Sequence, residues 1–237
     1  VIKSGYRNKD MENTGIAILL MAGKGERLYN HLGMKKQFYP LKGQEMFLYP
    51  LKTFLSCPFI GKIVIVTDEE DIEKTKDIVR DKSKESKEIV YVTGGKDRNE
   101  SVYKALLTLE NDDGKKKVFI HDADRPLISL SMLEKINEKA AKFDALTPVL
   151  KINDSLLRKE GSRITYIDRK NVYQIQTPQV FTLEVILSVY LGGYDKNDTD
   201  DFKKAVIMGF SCDVIDGCEN DFKVTEPQDI DKILKII

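Results

Sequence analysis

Ile16-Ala17-Ile18-Leu19-Leu20-Met21-Ala22-Gly23-Lys24-Gly25-Glu26-Arg27 decides the fold. The apolar run is continuous, so it reads as a strand buried on both faces, and it ends at two glycines one residue apart. A strand of this kind needs helices above and below it. They follow at regular intervals: apolar residues recur at helical spacing from Glu45 to Ser56, Asp71 to Arg80, Asn99 to Leu109 and Ser131 to Lys142. Between them lie β-rich runs at Lys62 to Val66, Glu88 to Val92, Lys117 to Ile120 and Ala145 to Leu150. Strands alternating with helices of this length imply right-handed crossovers. The expected fold is therefore α/β, a doubly wound and mostly parallel sheet.

The rhythm breaks between Lys151 and Gln176, where charge is dense and Arg163-Ile164-Thr165-Tyr166-Ile167 alternates. This stretch predicts a protruding β-arm. A two-stranded hairpin is marginal alone, so the arm is expected to pack on its own domain or on a second subunit. The α/β pattern then resumes with helices near 183–190 and 200–208, a strand at 212–215 and a last helix from Pro227 to Ile236. Val1 to Thr14 are polar and read as a leader outside the fold, leaving 15–237 as one domain.

Composition sets the outer bounds. With 237 residues and 41% hydrophobic content the chain can bury a sizeable core, and it is too apolar for disorder. Its 38 basic and 38 acidic side chains cancel, so no global field draws it to nucleic acid or to an anionic membrane. The longest apolar run, Ile16 to Ala22, is far short of the ~20 residues that span a bilayer. Three cysteines, Cys57, Cys212 and Cys218, with no CxxC pair speak against a disulfide framework or a zinc ribbon. A reducing cytoplasm is expected, with each cysteine a small buried hydrophobe.

Four segments carry chemistry. Gly23 and Gly25 let the backbone turn tightly and offer N–H groups to an anion. The loop is not a dinucleotide fingerprint, since Leu28 stands where a third glycine is needed, nor a P-loop, since Gly-Lys is followed by Gly25. Arg27 and Lys35-Lys36-Gln37 add cations near it, and together they favour a triphosphate clamp. Asp122, just past a buried strand in His121-Asp122-Ala123-Asp124-Arg125-Pro126, belongs at the carboxyl edge of the sheet, where a carboxylate can help hold Mg²⁺. A helix cap or an ion pair between Asp124 and Arg125 is the plainer reading of that segment. His121 reads as a satisfied buried ring, and with His31 the only other histidine no histidine metal site is expected. Gly94-Gly95 permit close approach of a flat ring, and Lys223 stands alone in an extended run.

Taken in order, A-G-K-G-E-R, K-K-Q-F, G-G-K-D-R-N-E-S, H-D-A-D-R-P, D-R-K-N-V-Y-Q-I-Q-T-P-Q-V-F, T-D-D and F-K-V-T-E-P-Q-D-I resemble the motif series of the IspD family, the 2-C-methyl-D-erythritol 4-phosphate cytidylyltransferases. The resemblance runs from Ile16 to Ile236. It implies a Rossmann-like nucleotidyltransferase fold, CTP as substrate, Mg²⁺ or another divalent cation, and a homodimer joined through the arm. It also implies roles: Ala22, Gly23, Gly25, Arg27 and Lys36 at the CTP phosphates, Gly94, Gly95 and Ser101 at cytosine, Asp122 at the metal and ribose, and Lys223 at the α-phosphate. Ser155, Arg169 and Thr177 would contact the methylerythritol phosphate, with the arm supplied by a partner subunit.

Departures from that pattern are Lys35 in place of Pro, Lys96 in place of an acidic residue, Asp124 in place of Ala, and Asp154-Ser155-Leu156-Leu157 in place of Asp-Thr-Ile-Lys. Ribitol 5-phosphate or another polyol phosphate is the alternative acceptor, and a non-catalytic nucleotide-binding module the alternative class. The missing third glycine disfavours a NAD-dependent oxidoreductase. An acceptor phosphate is already anionic, so the expected catalysis is neutralisation by Arg27, Lys36 and Lys223 in a concentrated cationic pocket.

Overall fold

The Ile16 run forms β1 (Gly15–Leu20) in the computed structural model, which describes residues 15–23, 25–83, 87–193 and 198–237. The expected leader, 1–14, lies outside the described residues. β1 pairs in parallel with β4 (Ile60–Thr67) on one side and with β6 (Lys117–Asp122) on the other. Both faces are thus covered by neighbours and helices, which is why the strand carries no polar alternation. β5 (Glu88–Thr93) extends the parallel set beyond β4. The short hairpin of β2 (Pro40–Leu41) and β3 (Gln44–Glu45) precedes the first long helix.

β7 (Ala145–Lys151) does not pair directly with β6. Between them lies β11 (Gln179–Thr182), antiparallel to both, with Phe181 opposite Val118 and Ala145. The far side of β7 pairs in parallel with β12 (Cys212–Asp216), and β10 (Tyr173–Ile175) pairs antiparallel with its end. The eight-stranded sheet is therefore mixed, mostly parallel and doubly wound.

Alternation along β1 sorts the core into two layers. Ala17 and Leu19 pack with Phe119 against α2 (Leu48–Ser56), α3 (Ile72–Lys82) and α5 (Leu130–Ala140). Ile16 and Ile18 face α4 (Arg98–Leu107), α6 (Leu183–Leu191) and α7 (Phe202–Ile207). A smaller cluster joins Leu28 of α1 (Glu26–Leu32) to Leu41, Val224 and Ile230, the last from α8 (Pro227–Ile236). Truncating a side chain such as Phe119, fully buried between strand and helices, is expected to cost about 3–5 kcal/mol.

The structure corrects several boundaries. The helix expected from Glu45 begins at Leu48, because Gln44 and Glu45 complete the small hairpin. The helix expected over 200–208 is confined to Phe202–Ile207. The arm holds a two-stranded hairpin, β8 (Leu156–Glu160) with β9 (Arg163–Ile167), but Tyr173–Ile175 return to the main sheet. Neither α1 nor β11 is expected from the sequence pattern. No helix among the described residues is long and apolar enough to cross a membrane.

Candidate active site

β1, β5 and β6 end at one edge of the sheet, and residues at and just beyond their ends line two adjoining hollows. After β1, Gly23 and Gly25 take φ of 105° and 58°, the left-handed region where a side chain is strained. Two neighbours pin this loop. The buried amide of Gln37 donates to the carbonyls of Met21 (2.8 Å) and Gly23 (3.2 Å), and the Gly23 N–H donates to Asp68 (3.1 Å).

After β5 the glycines serve packing as much as access. A Cβ on Gly94 would lie 2.4 Å from the Cβ of Ala22, and one on Gly95 would lie 2.4 Å from the Glu100 side chain. Asp97 caps α4 by accepting from Glu100 N–H (2.8 Å). The Ser101 hydroxyl donates to Asp97 O (2.9 Å) and accepts from Gly95 N–H (2.9 Å), so it shapes the turn.

Asp122 is the last residue of β6, one position further into the strand than the sequence suggests, and is buried. Lys223 Nζ donates to one of its oxygens at 2.9 Å and Arg98 Nε to the other at 3.3 Å. Burial alone would raise the Asp122 pKa, but Arg98 and Lys223 overcome it and hold the carboxyl far below the usual range. Arg98 also bonds Asp201 (2.8 Å), whose side chain is 0% exposed. Despite burial its guanidinium is raised by Asp201 and Asp122. Lys36 Nζ contacts Asp124 and donates to Val224 O (2.9 Å), and Lys223 lies 3.7 Å from the same Asp124. Burial would lower the Lys223 pKa, and Asp122 with Asp124 more than reverse that.

The segment carrying Lys223 is stapled to the loop after β6: Val224 N–H donates to Asp124 O (2.8 Å), and Arg125 donates to Asp221 O (2.9 Å). Lys223 thereby reaches Asp122 across 101 positions of sequence. Asp124 Oδ1 and Arg125 Nε are buried with no hydrogen-bond partner among the described residues.

The expected cationic pocket is thus corrected. Lys36, Lys223 and Arg98 interleave with Asp124, Asp122 and Asp201, three cations against three carboxylates. The expected set of Arg27, Lys36 and Lys223 does not include Arg98, whose partner Asp201 is 103 positions away.

Other expected residues divide. Ala22, Gly23, Gly95, Ser101, Asp122 and Lys223 line a hollow of about 230 Å³, and Gly25 and Lys36 line its neighbour. Thr177 lines a third, of about 380 Å³, that meets the first at Arg98, Asp122 and Lys223. Gly94 lies behind, its N–H donating to Thr67 O. Arg27 lines none of the three: its side chain is 71% exposed and bonds Glu226 at 2.9 Å. Ser155 and Arg169 are exposed on the arm and line none of them either.

Lys35 and Lys36 part company. Lys35 donates to Asp68 (2.6 Å), Glu70 (2.7 Å) and Asp71 (2.6 Å), filling the one trio of carboxylates close enough to hold a metal among the described residues. Burial opposes its charge, but these three bonds raise its pKa. Lys36 is the lysine that faces the glycine loop. Cys57 is buried and its thiol is pushed up to about 11, which removes it as a nucleophile, while Cys212 and Cys218 are half-buried.

Two hollows that meet at a carboxylate flanked by an ammonium and a guanidinium suit the joining of two phosphate-bearing substrates, and on an α/β sheet edge with a glycine loop that is the province of nucleotidyltransferases. Within that class the chain belongs to the IspD family, 2-C-methyl-D-erythritol 4-phosphate cytidylyltransferase, whose profile matches residues 16–236. A relative of that name from Thermotoga neapolitana is 37% identical, covering 91% of this chain and 93% of the relative. A structure of 4-diphosphocytidyl-2C-methyl-D-erythritol synthase from Anaerococcus prevotii superposes with a TM-score of 0.81 at 23% identity, over 94% of this chain and 96% of that one, which shows the shared fold. Bifunctional IspDF from Campylobacter jejuni superposes at 0.76 and 27% identity, over 92% of this chain and 54% of that one.

Proposed function

We propose that this chain transfers CMP from CTP to 2-C-methyl-D-erythritol 4-phosphate and releases pyrophosphate. The observation that carries this reading is the meeting of the two hollows at Asp122 and Lys223, in a chain of the cytidylyltransferase family. The hollow beside Gly23, Gly95 and Ser101 would take the nucleotide, and the one beside Thr177 the acceptor. The acceptor phosphate is anionic at neutral pH and attacks the α-phosphorus without a general base. What it needs is alignment and charge neutralisation.

Lys36 and Lys223 supply that neutralisation by exchanging partners, leaving Asp124 and Asp122 for phosphate oxygens as the nucleotide enters. Arg27 is tied to Glu226 at the rim and would reach the triphosphate only by leaving that pair. Asp122 is held ionised and Asp124 keeps one unpartnered oxygen, a donor set that fits a hard divalent cation. Mg²⁺ at Asp122 would offset charge on the phosphates. Ser155 and Arg169 would complete the acceptor side from the arm of a second copy. The arm exposes Leu157, Ile164 and Tyr166, apolar surface that a homodimer would cover.

Pyrophosphate release from CTP and Mg²⁺ with each polyol phosphate in turn tests the reading. Methylerythritol phosphate is expected to be the preferred acceptor. Preference for ribitol 5-phosphate would move the substrate, and binding of CTP without release would make the chain a binding module. Lys36→Ala and Lys223→Ala are each expected to lower turnover about a hundredfold or more, with melting temperatures close to the parent. Near-normal turnover in either variant removes that lysine from the mechanism.

A further inference from the structure

Thr177 stands between β10 and β11, where the chain has already returned from the arm to the main sheet. Its hydroxyl oxygen is 3.3 Å from the backbone nitrogen of Asp122 and 3.0 Å from Nδ1 of His121. His121 is 0% exposed, and its ring is held edge-on by Phe54 at 5.6 Å between centroids. Among the described residues its two nitrogens face a carbonyl and a hydroxyl, with no carboxylate in ion-pairing distance to hold a charge in this enclosed position, so the ring is neutral and carries one N–H.

The opposite nitrogen decides where that hydrogen sits. Nε2 lies 3.0 Å from the carbonyl oxygen of Arg125, which can only accept. Nε2 therefore bears the hydrogen and Nδ1 presents a lone pair. The Thr177 O–H must donate to Nδ1, while its oxygen accepts from the Asp122 N–H. A hydroxyl has one hydrogen and two lone pairs, so only one lone pair is left for the hollow shared with Arg98, Arg125 and Lys223.

We infer that His121 is a positioning residue that makes Thr177 an acceptor-only contact, so that position 177 reads a hydroxyl of the polyol and not one of its phosphate oxygens. A free threonine hydroxyl would serve either group. A phosphate dianion has no hydrogen to give and is repelled by the remaining lone pair, which leaves the anion to the cations around it. The inference rests on the reading that Thr177 faces the acceptor.

Two substitutions separate the halves of the imidazole. His121→Asn keeps an acceptor near the Nδ1 position, whereas His121→Gln keeps a donor toward Arg125 O and offers Thr177 nothing. Steady-state kinetics of the full chain would compare the polyol phosphate with its monodeoxy analogues. His121→Gln frees the Thr177 O–H to turn toward the phosphate as well, and is expected to narrow the parent's discrimination against one analogue about tenfold, with the KM for CTP unchanged. His121→Asn is expected to keep the parent's discrimination. Equal behaviour of the two variants overturns the inference. Nitrogen NMR of the unmodified protein gives a second readout independent of folding: an Nε2–H tautomer is expected for His121, and an Nδ1–H tautomer overturns the assignment. Thr177→Val tests the underlying reading separately, since an unchanged acceptor KM there would show that Thr177 does not face the acceptor at all.

Discussion

Asp124→Asn is expected to tighten CTP binding measured without metal. In the unliganded site the Asp124 carboxylate contacts Lys36 and lies 3.7 Å from Lys223, with its side chain only 12% exposed. A unit-charge pair near 4 Å is worth about 4 kcal/mol at an effective dielectric constant of 20, and the entering phosphates must replace that attraction. The Asn oxygen still accepts a hydrogen bond from Lys36, so part of the interaction survives, and a net loss of about 1.4–2.8 kcal/mol is expected. That energy stabilises the unliganded parent, and its removal corresponds to binding about 10- to 100-fold tighter in the variant. Calorimetric titration of CTP in chelator reads this directly. Repeating it in a Lys36→Ala background closes a double-mutant cycle in which most of the gain should vanish. Equal or weaker CTP binding by Asp124→Asn in chelator would refute the view that the site neutralises itself before substrate arrives.

Other expectations concern stability and packing. Arg98→Leu removes the guanidinium paired with the fully buried Asp201 and leaves Asp122 with Lys223, and urea unfolding should register a loss of about 3–5 kcal/mol; a loss below 1 kcal/mol would mean that water or another cation compensates. Gly94→Ala forces a Cβ against Ala22, costing about 1–3 kcal/mol and weakening CTP binding, and Ala22→Gly in the same chain should restore much of both. Burial pushes the Asp221 carboxyl up to about 7 from an ordinary 3.8, although Arg125 pulls the other way. The folded chain then holds a proton that the unfolded chain has lost between about pH 4 and 7, so this group's contribution to stability falls as pH rises through that window. Asp221→Asn should match the parent at pH 4 and exceed it by a few kcal/mol at pH 8, and parallel pH–stability curves would contradict the assignment.

The doubly wound sheet was legible because β1, β4 and β6 are buried on both faces and carry unbroken apolar runs. α1 was not, since its seven residues lie between glycines and bury only Leu28. β11 escaped because Gln179–Thr182 is short and its antiparallel direction depends on where the arm returns, a non-local property. The site shows the same division. Asp122, Lys36 and Lys223 could be picked out by residue type and by position relative to strand ends. Their mutual neutralisation could not, because each partner is supplied by a different part of the chain. Gln37 is a further case: its amide staples the glycine loop from inside, and nothing in Lys35-Lys36-Gln37 distinguishes it from a surface glutamine.

The arm leaves the main sheet at Lys151 and comes back at Tyr173, and these two residues are direct partners in the ladder between β7 and β10. Residues 152–172 are therefore a closed excursion whose ends are already held together by the sheet. Such a segment can be lengthened, shortened or exchanged without altering the order of the strands or the carboxylates at their ends. Under the proposed function, grafting the arm of a relative between Lys151 and Tyr173 is expected to change the acceptor contacts that the arm supplies while CTP binding keeps the parent's value.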